Sequence, residues 1–232
     1  MKRLLLAVLL CSAGALTSAN ARTPFQARCE DTIGATVTAL TARDAGYTIN
    51  NTLSTMALTR MKPQARPDRF VLGLTRTEAR MSIKLSAQVL GDQASGHECI
   101  APQVEVALSY APIVIYVGSQ FQPGTCAYGE VLAHEMRHLK AYLDHLPKVE
   151  IAVRAALKKR FANQPLYAPA GQGKVLLEQE INTGWMPYIK KQMSDVERVQ
   201  AAIDSPQEYA RLSKVCKGEV QFFIGSQKRN TE

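Results

Sequence analysis

The hydrophobic period of this chain changes once, and that change constrains the order in which its elements are laid down. Up to about residue 118 the strongest signals have period two. Residues 81–89 alternate apolar and polar side chains as a half-buried strand requires, and residues 70–74, 104–108 and 113–117 are short apolar runs. Pro112, between the last two runs, marks an edge strand, a bulge or a bend. After the turn signal Gln122, Pro123, Gly124 and Thr125 the period becomes helical. Tyr128, Val131, Leu132, Met136, Leu139, Leu143 and Leu146 recur at three and four, with Thr125 as the N-cap. Pro147 ends that helix or begins the next, which runs to about residue 161. Residues 163–174 hold two Pro and two Gly and read as a loop, and residues 175–204 as a long helical segment. Ser205, Pro206 and Glu208 then supply the N-cap, N1 proline and N3 glutamate of a last helix reaching Cys216. Strands first and helices afterwards imply an α+β fold, an antiparallel sheet followed by a helical half.

Residues 22–232 read as one domain without internal repeats: 69–118 mainly strands, 125–217 mainly helices. The weak pattern of 22–68 offers only a helix near residues 31–43 and extended pieces around 47–49. Ahead of the domain, Lys2 and Arg3 precede an apolar run from residue 4 to 16 and the small residues ending at Ala21. This is the layout of a secretory signal cut after Ala21. The run is short for a membrane span of about 20 residues, and Leu10 before Cys11 is too large for a lipoprotein site. The expected compartment is the periplasm or the exterior, with no transmembrane segment left after cleavage.

Cleavage removes two of the 28 bases and none of the 20 acids, so +8 becomes +6. It also removes Cys11, leaving Cys29, Cys99, Cys126 and Cys216. Four cysteines in an exported chain imply two disulfides with three possible connectivities, and with no C-x-x-C pair a zinc–thiolate site is the weaker reading. The shorter loop favours Cys99 with Cys126, which leaves Cys29 with Cys216. An exported chain lacking interleaved aromatic and basic residues is not expected to bind nucleic acid.

Histidine is the scarcest polar residue, yet three of the four fall within residues 134–145. His134, Glu135 and His138 form an H-E-x-x-H sequence inside the helical segment. At ~100° per residue, i and i+4 share a face about 6 Å apart along the axis, so both imidazoles can reach one tetrahedral Zn²⁺. Glu135, turned toward the adjacent side, is placed to take a proton from a zinc-activated water that attacks a carbonyl. His145 shares the face but lies about 10.5 Å beyond His138 on an unbroken helix, and reads as a cation favourable to the helix C-terminus. A third His six residues after the second would need a glycine break, and those positions hold Ala141 and Asp144.

A third ligand can come instead from a later helix. Stepping at 100°, Glu178 aligns with Asn182, Trp185, Ile189 and Val196, which puts its carboxylate at the head of an apolar stripe. Glu178 is the candidate third ligand, with Asn182 to orient it, and Glu150 and His97 are lesser ones. Tyr128, Tyr142, Tyr188 and His97 are available to stabilise an oxyanion, and the sequence does not choose among them.

The strand-rich part, the cysteine ahead of residues 104–117 and the long helix with His134, Glu135 and His138 resemble the zincin metalloproteases. Over about residues 69–161 the layout is similar to a bacterial family of secreted zinc-dependent proteases. The resemblance implies one zinc ion on His134 and His138 with Glu135 as general base. The expectation is an exported zinc metallopeptidase acting on an envelope protein or peptide. Two rivals are a non-catalytic envelope protein that binds metal for structure and an adaptor for anionic cell-envelope polymers. The adaptor would use Arg154, Lys158, Lys159 and Arg160, residues that equally suit a solvated helix face.

Overall fold

Period-two patterning over such length can be satisfied only by long paired strands, and the sheet is built on one of them. The computed structural model describes residues 22–33, 36–62, 70–161 and 165–229; the expected signal segment lies outside them. Its strands are β1 (Val37–Asp44), β2 (Tyr47–Asn50), β3 (Gly73–Arg76), β4 (Ala79–Asp92), β5 (His97–Tyr110), β6 (Ile113–Val117) and β7 (Leu166–Pro169). β5 takes β4 antiparallel on one side, and β1 in parallel with β7 antiparallel on the other. β6 lies between β2, which is parallel to it, and β3, which is antiparallel.

The two sheets are one ladder with a bend. Asp44 pairs with Tyr110 and Tyr47 with Ile113, an offset of 66 residues in both cases, so β1 and β2 follow β5 and β6 in a single register. The interruption falls at residues 45–46 and 111–112, where Gly46 takes φ +68° and Pro112 removes a donor. Of the options that Pro112 left open, the bend is the outcome. The sheet is therefore mixed and not purely antiparallel, because residues 37–43, expected within a helix, belong to β1. The helix there is α1 (Pro24–Thr32), capped by Thr23 and Gln26 in a capping box. α2 (Thr55–Met61) follows β2.

β5 buries Val104, Val106, Leu108 and Tyr110 at alternate positions. They meet the apolar stripe of α3 (Cys126–Phe161), 36 residues long and running without interruption through Pro147. Thr125 caps it, its Oγ1 accepting from Tyr128 N at 3.2 Å. No helix boundary forms at Pro147 because it sits on the exposed side, where water can take the carbonyl that it frees, while Leu146, Val149 and Val153 stay buried.

The expected helix over 175–204 is broken into α4 (Gly173–Glu180), a π-helical turn Ile181–Trp185, α5 (Met186–Ser194) and α6 (Glu197–Ile203). α7 (Pro206–Leu212) begins at Ser205 as read, but ends before Cys216, and α8 (Glu219–Arg229) follows. No helix among the described residues is long and apolar enough to cross a membrane.

Both expected disulfide pairings are replaced. Cys29 bonds Cys99 and Cys126 bonds Cys216. Cys99 lies near the start of β5, and the 11 residues from there to Tyr110 span about 36 Å of extended chain, carrying Cys126 far from it despite the short sequence separation. The first bridge ties α1 to β5. The second ties the head of α3 to the entry of α8. Two disulfides are consistent with an oxidising compartment.

The start of α4 offers a stability test. Glu98, on β5, accepts hydrogen bonds from Gly171 N at 2.8 Å and Gly173 N at 2.6 Å, and a Cβ on Gly173 would stand 1.8 Å from Ile100 Cδ1. Gly173→Ala should cost about 1–3 kcal/mol by overpacking, read as a lower urea midpoint. Gly129→Ala, with open space around its Cβ inside α3, should match the parent or gain up to about 1 kcal/mol.

Candidate metal centre

The stripe that packs α3 on the sheet also carries its polar residues inward. His134, Glu135 and His138 are 5%, 4% and 8% exposed, so each needs a partner. Across from them lies the junction of α6 and α7. Gln200 is on α6, Asp204 follows its last residue, and Glu208 is at the third position of α7.

The two Nε2 atoms of His134 and His138 are 3.2 Å apart, and Asp204 Oδ1 lies 3.2 Å from the first and 3.3 Å from the second. Ligand atoms on a tetrahedral ion with bonds of 2.0–2.1 Å stand about 3.3 Å from one another. The three donors thus already form a near-equilateral triangle of the size of one tetrahedral face, leaving a fourth position free. A group of three ionisable side chains that could hold a metal ion is formed here by His134, His138 and Asp204. The two-imidazole, one-carboxylate set suits zinc among other divalent ions.

The outer contacts fix the inner ones. Gln200 Oε1 is 2.5 Å from His138 Nδ1, and Gln200 Nε2 donates to the His138 carbonyl at 3.2 Å, so one side chain clasps the residue at both ends. With an Nδ1 proton donated to Gln200, His138 would have its Nε2 lone pair available to a metal ion. Glu208 Oε1 faces His134 Nδ1 at 3.3 Å and accepts from Arg137 and from Arg211 at 2.9 Å, while Arg137 Nη2 is 2.9 Å from the same Nδ1. Glu208 occupies the N3 position of α7. Ser205 does cap its N–H, but the carboxylate is drawn to the site instead.

The carboxyl groups around the triangle are shifted in different directions by their neighbours. The guanidinium of Arg211 chiefly, with Arg137 and His134 and against the effect of burial, holds the Glu208 carboxyl down to about 2. For Asp204, burial pushes upward, yet hydrogen bonds from His134, His138 and Lys62 outweigh it and keep the carboxyl well below the usual range. Glu135 is raised by burial, against the opposing pull of the two histidines and Thr75.

Glu135 points to a different wall. The Thr75 hydroxyl, on β3, lies 3.0 Å from the Glu135 carbonyl oxygen and 2.9 Å from Oε2. The strand passes so close that a Cβ on Gly73 would meet Glu135 Oε1 at 2.7 Å and Val131 Cγ1 at 2.8 Å, so only glycine fits. Both sets of residues open into a cleft of about 720 Å³. Residues 70–75 form one side, Val220, Gln221 and Ile224 of α8 another, and Lys62, Tyr142 and Tyr209 also line it.

No family model, curated protein or solved structure matches the chain. The chemistry is read from the site itself.

Of the residues singled out in the sequence, the fold brings His134, Glu135 and His138 together at this cleft and leaves Glu178 elsewhere. The Glu178 side chain is 53% exposed and stands 3.9 Å from Lys174, one turn back on α4. Asp204 stands where a third ligand was sought. Asn182 is exposed. Glu150 pairs with Arg154, His97 is an exposed strand residue, and His145 Nδ1 meets the Tyr110 hydroxyl at 2.9 Å. Of the oxyanion candidates Tyr142 reaches the cleft, and Tyr209 lines it together with Asp204. In the basic run, Arg154 and Arg160 are paired with Glu150 and Glu180.

Proposed function

We propose that this chain is an exported zinc-dependent metallopeptidase that hydrolyses peptide bonds in an envelope protein or peptide. The observation that carries the reading is the convergence of His134 Nε2, His138 Nε2 and Asp204 Oδ1 into a triangle of ligand dimensions, with Glu135 lining the same cleft. A bound zinc ion would supply Lewis acidity, polarising the scissile carbonyl and acidifying water.

This chain's residues do the rest. Glu135, buried and held by Thr75, accepts the proton of the attacking water and returns it to the leaving amine. Burial pushes its carboxyl upward, which makes it a stronger base than an exposed carboxylate. A peptide is the substrate favoured by β3. Its far edge pairs with no strand among the described residues, and residues 70–75 border the cleft, so an extended chain can add to the sheet alongside Glu135. Leu74, Val131, Leu212, Val220 and Ile224 give the cleft apolar walls, which favour apolar side chains around the cleaved bond. The disulfides and the leader-like residues 1–21 support action outside the cytoplasm.

The test is cleavage of an unfolded protein or a mixed peptide pool by the mature chain, with metal content measured on the same sample. Expected are one zinc ion per chain and proteolysis that stops with a chelator and returns with zinc. Bound metal without cleavage of any peptide would leave a structural metal site and overturn the peptidase reading.

A further inference from the structure

Resting on the metal reading above, we infer that Lys62 is a positioning residue that holds Asp204 to ligation through a single oxygen. The two oxygens of Asp204 are divided between different partners. Oδ1 faces both histidine nitrogens at 3.2 and 3.3 Å, while Oδ2 accepts from Lys62 Nζ at 3.0 Å. Lys62 comes from the end of α2, 142 residues earlier in the chain, and lines the cleft together with Asp204. The pair is half-buried, with the Lys62 side chain 39% exposed and Asp204 25%, so it is not a freely solvated surface ion pair.

A carboxylate beside a divalent ion can offer one oxygen or both. With Oδ2 bound to an ammonium, only Oδ1 is available, and the position that the second oxygen would take stays open for water and substrate. The ammonium also withdraws charge from the carboxylate and repels a nearby cation. Lys62 therefore weakens metal binding while keeping the ion open and more Lewis-acidic. This gives an opposite pair of effects that a lysine serving only to anchor α2 would not produce. Loss of an anchor loosens the site and lowers affinity and turnover together.

The experiment compares the full mature chain with Lys62→Met and Lys62→Arg. Zinc affinity is measured by competition with a chromophoric chelator, the visible spectrum is recorded with Co²⁺ in place of zinc, and peptide cleavage is followed in parallel. Thermal melting of the metal-free proteins checks that each folds. In Lys62→Met, zinc affinity should rise about 10-fold, on the scale of outer-contact effects at metal sites. Its cobalt bands should weaken toward those of a five-coordinate ion, and kcat should fall about 10–100-fold. Lys62→Arg, which keeps a cationic donor, should return all three toward the parent. Wild-type cobalt bands in Lys62→Met, or affinity and kcat falling together, would overturn the inference while leaving the metal site standing. A parent chain that binds neither ion would instead overturn the reading on which the inference rests.

Discussion

Asp204→Ala will take the purified chain from one bound zinc ion to none under conditions where Glu178→Gln keeps a full complement. Among the described residues, Asp204 Oδ1 is the carboxylate oxygen grouped with both histidine Nε2 atoms, 3.2 and 3.3 Å from them, and without it that group is reduced to two imidazoles. Loss of an outer partner such as Gln200 costs about 10–100-fold in metal affinity, and loss of a direct ligand costs more than that. The effect is also visible in stability. A ligand that binds only the folded chain stabilises it by RT ln(1 + [L]/Kd), about 4 kcal/mol at a thousand times Kd, so chelator should lower the melting temperature of the parent and leave Asp204→Ala unmoved. The substitution leaves Lys62 without its carboxylate, but that side chain is 39% exposed and water can take its place. Zinc retained at parental affinity by Asp204→Ala would mean that the histidines draw their third ligand from elsewhere.

Why Glu178 looked right and Asp204 did not is a matter of helical phase. The stepping that aligns Glu178 with Ile189 assumes ~100° for each of the 11 steps from one to the other, which closes to within about 20° of whole turns. The π-helical turn at Ile181–Trp185 inserts one residue into that count. The buried stripe consequently begins one position earlier, at Leu177, and continues through Ile181, Ile189, Met193 and Val196, while Glu178 turns outward. A single inserted residue exchanged a core position for a surface one, and nothing in the local composition announces it. Asp204 was equally hard to see. It sits in the turn between two short helices, where its neighbours Ser205 and Pro206 account for their presence by capping alone. The signals that did survive are those carried by many residues at once. The alternation over residues 81–89 and the three-four spacing after residue 128 each sum several weak preferences, and they emerge as β4 and α3. The i, i+4 pairing of His134 and His138 survives for the same reason, because it depends only on α3 being a helix. The cysteine pairing failed because loop length is a poor guide when the intervening chain is an extended strand.

Glu135→Gln is expected to keep the zinc and lose the chemistry. Glutamine has nearly the same shape, its carbonyl oxygen can still accept from the Thr75 hydroxyl, and Gly73 leaves the same narrow space beside it. None of the three ligand atoms is touched, so metal content should be unchanged. Stability should hold or rise slightly, since a carboxylate 4% exposed is replaced by a neutral amide and the burial of a charge is relieved. What the amide cannot do is accept a proton. General acid–base groups contribute about 10²–10⁴-fold, and kcat should fall by that factor with KM little altered, because the residue acts on the proton and not on the peptide's side chains. The combination separates three roles for one buried residue. A ligand would show lost metal, a packing residue would show lost stability, and a base shows lost turnover alone. Parental turnover in a folded, zinc-loaded Glu135→Gln would remove Glu135 from the reaction and leave the triangle of His134, His138 and Asp204 as a site that binds without catalysing.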